Sequence, residues 1–515
     1  MRILTSSRPA RTCARVHQQV IPLAILLLSA GAVRGATYSV AGFSDTAVYT
    51  GINQPTDFAF LPDGRILILE KPGRVLIGPV GSGTPAVALD NTANIDSGSE
   101  KGLLGICLHP TFASTGWIYL YYTFHIGPRN RISRFTLAGS TINPASEVVI
   151  LDNIEATLGN HNGGTVLIGP DGKLWAAPGD SGTGTSTNPP KAQDLSATSS
   201  SRFNGKVLRM ELDGSPAAGN PFLADATKEP RIYAFGFRNP FRFSFRPSNG
   251  SLYVGDVGSS GTQDREEVNV VAAGGNYGWP WAEGSIIYTP PCTGCLPPAF
   301  DYPRTTGFTI IGGAFVTGNA HPAFLRGKYV FGDNGSSWIK FLEFDANNVV
   351  VGGLQDLATS AEGPVAFHQG PDGYLYYAAI NTGRIYRIQS AKNFYTVTPC
   401  RVLDTRDPAG PWGGPALVAG SDRAFAIGGR CGIPATARAV SINVTVTAPT
   451  DLGHLVLFPA GGAPTTTSAI NFRPGQTRAN NAIVTLGPAG DIVVRTGMAT
   501  GSVQFILDVD GYFDD

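Results

Sequence analysis

The sequence has no excess of charge of either sign, with 38 Lys and Arg against 38 Asp and Glu. That balance removes the general electrostatic case for nucleic acid or an anionic membrane as a partner. Beyond the first 36 residues there is no run of 18 or more apolar residues, so no membrane span is expected in the rest of the chain. No GxSxG and no HExxH is found, and the glycine-rich loops lack the P-loop lysine. The commonest signals of serine hydrolases, zinc proteases and phosphate-binding loops are therefore missing. Cysteine is scarce, six in 515 residues. Helical periodicity is missing too.

What is there in quantity is turn and strand chemistry. The 65 Gly and 38 Pro accompany 42% hydrophobic and 10% aromatic residues, a composition too apolar for a disordered chain. Many short strands joined by tight turns reconcile these numbers. At 515 residues the chain is too long for one compact core.

Arg2, Arg8, Arg11 and Arg15 precede the apolar run "VIPLAILLLSAGAV", and small residues follow. This pattern predicts a secretory signal peptide over residues 1–36, with Ala30-Gly31-Ala32 as the best cleavage site and cuts after Gly35 or Ala36 as alternatives. The mature chain is then expected to be secreted or periplasmic. Cysteine usage agrees with export. Cys400 and Cys431 are expected to form a disulfide, and Cys107, inside "GLLGICLHP", to be a buried free thiol. Cys292 and Cys295 of "PPCTGCLPP" are read as a short structural disulfide, against a redox CxxC or half of a zinc site.

One pattern recurs over residues 38–390. "LPDGRILIL", "GPDGKLWAA", "PSNGSLYVG" and "GPDGYLYYA" each set an Asp-Gly or Asn-Gly turn before a short alternating strand. Repeated hairpins without helices predict an all-β fold, a six-bladed β-propeller, with the blade number taken from length because the spacing is irregular. The Gly/Pro-rich stretches 178–204 and 284–308 are expected to be loops over one face, where binding sites usually lie. Residues 395–515 lose these hairpins and show long alternating strands such as "AVSINVTVTA" and "SVQFILDVDGYF". They predict a separate C-terminal antiparallel β-sandwich.

The candidate site is "GNHNGGTVLIGPDGKLWAAPGDSGTG", residues 159–184. His161 is either a proton acceptor at a pocket mouth or a polar residue bracing a loop, and Asp180, followed by Ser and Gly, reads as a turn residue. Strand, turn and strand between them return the chain to the same end of a blade. Arg238 and Arg242 of "FRNPFR" have a structural alternative, ion pairs with Glu266 or Glu267. Glu100 has one too, as a solvated loop charge.

Residues from about 40 to 390 resemble the soluble glucose/sorbosone dehydrogenase family, propellers that use pyrroloquinoline quinone (PQQ). The resemblance is carried, in order, by "EKGLLGICLHPTFASTGWIYLYYT", "RISRFTL", "HNGGTVLIGPDGKLWAAPGD", "GKVLRMELDG", "IYAFGFRNPFRFSF", "DREEVNVVAAGGNYGWPWAEG" and "LRGKYVFGD". "GFTIIGGAFV" and "LRGKYVFGD" are closest to the branch that includes hedgehog-interacting proteins. Residues 395–515, with "TPCRVLDTR", "SINVTVT" and "DVDGYF", resemble a repeat domain of secreted bacterial proteins, for which cell-surface attachment is the expected use.

The resemblance implies oxidation of the C1 hydroxyl of an aldose sugar, with hydride passing to PQQ and electrons then to an external acceptor. It makes His161 the base and Asp180 its carboxylate. It places Arg238 and Asn239 on the quinone oxygens, Glu100 on the substrate, and the carbonyls of Gly258 and Ser259 on a Ca²⁺ ion. One departure stands out. The family's lysine and arginine pair for the PQQ carboxylates are missing from "YVFGDNGSSWIK" and "AEGPVAFHQGPDG". Lys206, Arg209 and Lys340 are the substitutes the sequence offers. The alternative is a non-catalytic propeller that binds carbohydrate or protein at a cell surface.

Overall fold

The computed structural model describes residues 35–514, apart from 82, 183–186, 262, 289–291 and 391–392. The expected signal peptide lies almost wholly outside the described residues. Those that are described form a nearly all-β protein, with one α-helix of four residues, Phe112–Thr115, and a few single 3₁₀ turns. No helix among them is long and apolar enough to cross a membrane.

Six antiparallel sheets follow one another from residue 37 to 390. Their first strands are Pro55–Phe60, Leu103–Leu108, Thr165–Ile168, Pro240–Phe245, Ile310–Phe315 and Pro364–Gln369. These strands touch in succession, and the sixth returns to the first, so the circuit closes. The chain closes it with its own beginning, since Phe43–Tyr49 pairs with Arg384–Ser390 as the outer strand of the sixth sheet. Faces buried against neighbouring sheets explain why strands such as Arg65–Glu70 and Leu375–Ala379 are apolar almost throughout. Each fully buried Ile, Leu or Phe contributes about 1.5–3 kcal/mol.

The four Asp-Gly and Asn-Gly turns occupy one structural position, the link from first to second strand in sheets one, three, four and six. In each, the Asp or Asn side chain accepts the N–H two residues on: Arg65 to Asp63, Lys173 to Asp171, Ser251 to Asn249 and Tyr374 to Asp372. Their glycines, Gly64, Gly172, Gly250 and Gly373, have φ between 72° and 85°. A Cβ disfavours that region. Sheets two and five make the same link through His-Pro segments, with Phe112–Thr115 in one and the 3₁₀ turn Ala323–Leu325 in the other. Those two insertions are the reason the repeat spacing is irregular.

The ring's axis is pinned by Arg242, which does not pair with Glu266 or Glu267 as the sequence alternative had it. Its guanidinium donates to the carbonyls of Thr56 (2.8 Å), Leu104 (2.9 Å) and Val365 (3.0 Å), joining the fourth sheet to the first, second and sixth. Asp57 adds a second cross-link, bonded to His368 at 2.7 Å and accepting the Ile106 N–H.

Beyond residue 392 two further antiparallel sheets share one apolar core that includes Val444, Leu455, Val494 and Phe505. Alternating burial along Ala439–Thr447 puts Val440, Ile442, Val444 and Val446 inward. Cys400 and Cys431 are bonded, as are Cys292 and Cys295, while Cys107 is a buried free thiol.

Candidate active site

A cavity of about 620 Å³ opens at the end of the ring opposite the Asp-Gly turns. Its wall is made where the first strands begin and the second strands end. Glu100, His161, Arg238, Asn239, Gly258, Arg304 and Asn334 supply polar groups, and Phe241, Val257, Phe308, Ile311 and Val365 supply apolar ones. Of the expected loop 178–204, Asp180 and Ser181 lie at this end, bonded to His161.

His161 precedes the first strand of the third sheet, and Asp180 follows the second. The ring Nδ1 meets Asp180 Oδ1 at 2.7 Å. Asp180 is completely buried, and its other oxygen accepts the Trp279 indole N–H at 2.8 Å. Burial alone would raise this carboxyl, but the bonds from His161, from the Gly182 N–H and from Trp279 hold it below its ordinary value. An ionised Asp180 needs a donor, so Nδ1 carries the proton and Nε2 is the basic nitrogen. Among the described residues, none bonds Nε2.

The backbone is shaped to make that pairing. His161 has φ of 53°, left-handed, and is held there by its N–H donating to Glu100 Oε2 (2.6 Å) and its carbonyl accepting the Ser181 N–H (3.2 Å). Glycine is required where the two loops cross. A Cβ on Gly163 would lie 2.0 Å from the Ala177 carbonyl, and one on Gly179 would lie 2.3 Å from the His161 carbonyl. Glu100 is exposed and lines the cavity, so it both braces His161 and faces the space where a substrate would sit.

Arg238 and Asn239 stand before the first strand of the fourth sheet. Asp256 accepts both their backbone N–H groups, at 3.0 and 2.6 Å. The Asn239 side-chain oxygen accepts the Gly163 N–H at 3.0 Å, tying the arginine's loop to the histidine's. Arg238 donates to the Val257 carbonyl at 3.0 Å, lies over the Trp279 ring at 5.5 Å, and has no partner for Nε. Trp279 therefore touches both Asp180 and the Arg238 guanidinium. Beneath them lie buried carboxylates. Burial raises Asp256 above its ordinary value, and burial together with the Asp256 charge raises Glu267. Burial also pushes Glu266 up to about 8.

Arg304, which sequence reasoning passed over, is the second guanidinium of the cavity. Its Nη2 donates to the Gly258 carbonyl at 3.0 Å, and Nη1 donates to the Phe308 carbonyl. Nη1 also lies 3.1 Å from Glu266 Oε1, close but out of line for a hydrogen bond. The signal that could have found it is position. Like His161 and Arg238, it comes just before the first strand of a sheet.

The three substitute cations are not in the cavity. Lys206 is buried, donating to the carbonyls of Lys191, Ala192 and Asn204 at 2.7–3.0 Å. It fastens the loop above it. Arg209 pairs with Asp171 at the turn end of the ring, and Lys340 pairs with Asp356 on the outer strand of the fifth sheet.

For a planar tricarboxylic quinone the donor set fits, with two guanidiniums and an imidazole over an apolar floor. For Ca²⁺ on Gly258 and Ser259 it does not. The Gly258 oxygen already accepts from a cation. A divalent ion at about 2.4 Å from that oxygen would repel the guanidinium by several kcal/mol. Ser259 donates its N–H to Glu283 at 2.8 Å, and its hydroxyl lies against both Asp264 and Glu283. Among the described residues no group of three or more His, Cys, Asp or Glu is placed to hold a metal ion.

Residues 52–387 match the family Glucose / Sorbosone dehydrogenase, and the chain belongs to that family. Quinoprotein glucose dehydrogenase B of Acinetobacter calcoaceticus is 29% identical over 261 residues, covering 47% of this chain and 53% of that one. An aldose sugar dehydrogenase of Escherichia coli is 26% identical over 390 residues, covering 70% and 95%. The hedgehog-interacting protein of Mus musculus is 25% identical over 408 residues, covering 71% and 55%. Among solved structures, an oxidoreductase (glucose dehydrogenase) of Thermus thermophilus is 30% identical with a TM-score of 0.58, covering 67% of this chain and all of that one.

Proposed function

We propose that this member of the glucose/sorbosone dehydrogenase family oxidises the C1 hydroxyl of aldose sugars with PQQ as the cofactor. The observation that carries the reading is the His161–Asp180 pair at 2.7 Å in the wall of a cavity that also holds Arg238 and Arg304. When bound, PQQ supplies an acceptor for the hydride that leaves C1. The chain's own residues do the rest. His161 Nε2 takes the hydroxyl proton, and Asp180 stabilises the imidazolium that forms. Arg238 offers a fixed positive charge to the quinone oxygens and Asn239 fixes its loop. Glu100 contacts the sugar.

The wider reading has four parts. The six sheets are the blades of a propeller over 37–390, and the two sheets of 395–515 are a sandwich that attaches the chain to a cell surface. Residues 1–36 direct secretion, and reduced cofactor passes its electrons to an external acceptor. The closed circuit of first strands supports the propeller, and the shared core supports the sandwich. A second reading, a ring that binds carbohydrate or protein without redox chemistry, is favoured by the missing lysine and arginine pair. The likeness to hedgehog-interacting protein favours it as well.

The test is dye reduction by purified protein with a panel of aldoses, with and without added PQQ. PQQ-dependent reduction by at least one aldose is the expected result. A panel with no reduction at saturating PQQ makes the binding-protein reading the better one.

A further inference from the structure

We infer that Arg304 supplies the positive charge that a divalent ion would otherwise supply beside Gly258, so that the quinone site works without a metal. The inference rests on the PQQ reading and deepens it. Three observations carry it.

The first is the contact itself. Arg304 Nη2 donates to the Gly258 carbonyl at 3.0 Å, the same oxygen that the family resemblance assigns to Ca²⁺. A cation and a hydrogen-bonded guanidinium compete for that oxygen's electron density, and the guanidinium is covalently tethered there. The second is how firmly it is held. Nη1 is bound to the Phe308 carbonyl, Glu266 lies at 3.1 Å, and the side chain is only 15% exposed. A fixed fork of this kind loses little entropy when it meets an oxyanion. The third is a second guanidinium in the same cavity. Arg304, Gly258 and Arg238 all line the cavity, and Arg238 Nη1 and Arg304 Nη2 hold the carbonyls of adjacent residues, Val257 and Gly258. The site thus carries two guanidiniums in one cavity, which suits an acidic ligand and disfavours a small cation.

The experiment has two arms. In the first, PQQ binding is measured by calorimetry on chelator-treated protein and again with excess Ca²⁺, for wild type, Arg304→Gln and Arg304→Lys. Wild type is expected to bind equally, within about twofold, in both conditions. Arg304→Gln is expected to bind at least about tenfold more weakly under chelator and to recover with Ca²⁺, while Arg304→Lys, which keeps the charge, stays near wild type. Wild-type binding that vanishes under chelator and returns with Ca²⁺ overturns the inference, and so does unchanged binding by Arg304→Gln.

In the second arm Ca²⁺ alone is titrated into each protein. Arg304→Gln, whose Gly258 carbonyl is freed, is expected to take up one more Ca²⁺ per chain than wild type, and equal stoichiometry overturns the inference. This arm needs no quinone. If wild type binds no PQQ in either condition, the PQQ reading fails while the Ca²⁺ counts still decide what Arg304 does.

Discussion

The two ends of the same six first strands are built by different chemistry. At the turn end, an Asp or Asn bonds the N–H two residues on, and a left-handed glycine follows, so each turn is complete within a few residues. At the site end, side chains bond across loops and sheets. His161 reaches Asp180, Asp180 reaches Trp279, Asn239 reaches Gly163 and Arg304 reaches Gly258, over separations of 19 to 99 residues. The turn end closes each turn locally and adds a few longer links, such as Arg209 to Asp171 and Asn249 to Asn348, whereas the site end depends on its long-range bonds throughout. Substitutions at the two ends should therefore differ in kind as well as in size.

The sharpest break in that comparison is His161→Ala. It is expected to lower aldose oxidation by about 10² or more, as loss of a general base does, and to lower the melting temperature as well, because the buried Asp180 loses a partner. A variant that melts early but, still folded at assay temperature, keeps full activity would show that the histidine only braces its loop. Next is Asp180→Asn, which removes the charge that stabilises the imidazolium and lets an amide NH₂ compete for Nδ1. Dye reduction should fall by about tenfold to a hundredfold with sugar KM little changed.

The third contrast is in pH. Glu266, under the site end, is raised by burial from 4.5 to about 8. The folded protein keeps that proton after the unfolded chain has lost it, so this stabilisation is complete below about 4.5 and shrinks as pH rises to about 8. The full change is on the order of a few kcal/mol. Melting curves of Glu266→Gln and wild type should thus diverge with rising pH, the variant gaining relative to wild type. Parallel curves would place the carboxyl in its ordinary range.

The smallest effect belongs to the turn end. A Cβ on Gly64 would meet no neighbouring atom. The cost of Gly64→Ala is then only that of a left-handed alanine, about 1 kcal/mol, and activity should be unchanged. A large loss of activity there would mean that the two ends are coupled.

The same contrast explains what could be read from the chain. The turns of sheets one, three, four and six were legible because each lies in nine consecutive residues. Sheets two and five were not, because a helical turn replaces the Asp-Gly link and hides the repeat. His161 and Asp180 were paired through family resemblance, and the strand, turn and strand between them are what make the contact geometrically accessible. Arg238 and Asn239 came only through family resemblance. Trp279 and Arg304 were missed because nothing local marks a residue that acts across 99 or 46 positions. Lys206 failed as a substitute for a physical reason. A lysine inside a strand can point into the protein, and this one meets three carbonyls there before it could reach a ligand.

The most direct test of the central claim, that this end of the ring holds an acidic planar quinone, is a calorimetric titration of PQQ into the full chain. The account expects saturable binding at one site per chain, at least about tenfold weaker in Arg238→Gln. No heat of binding up to high micromolar PQQ, or equal affinity in that variant, would contradict it.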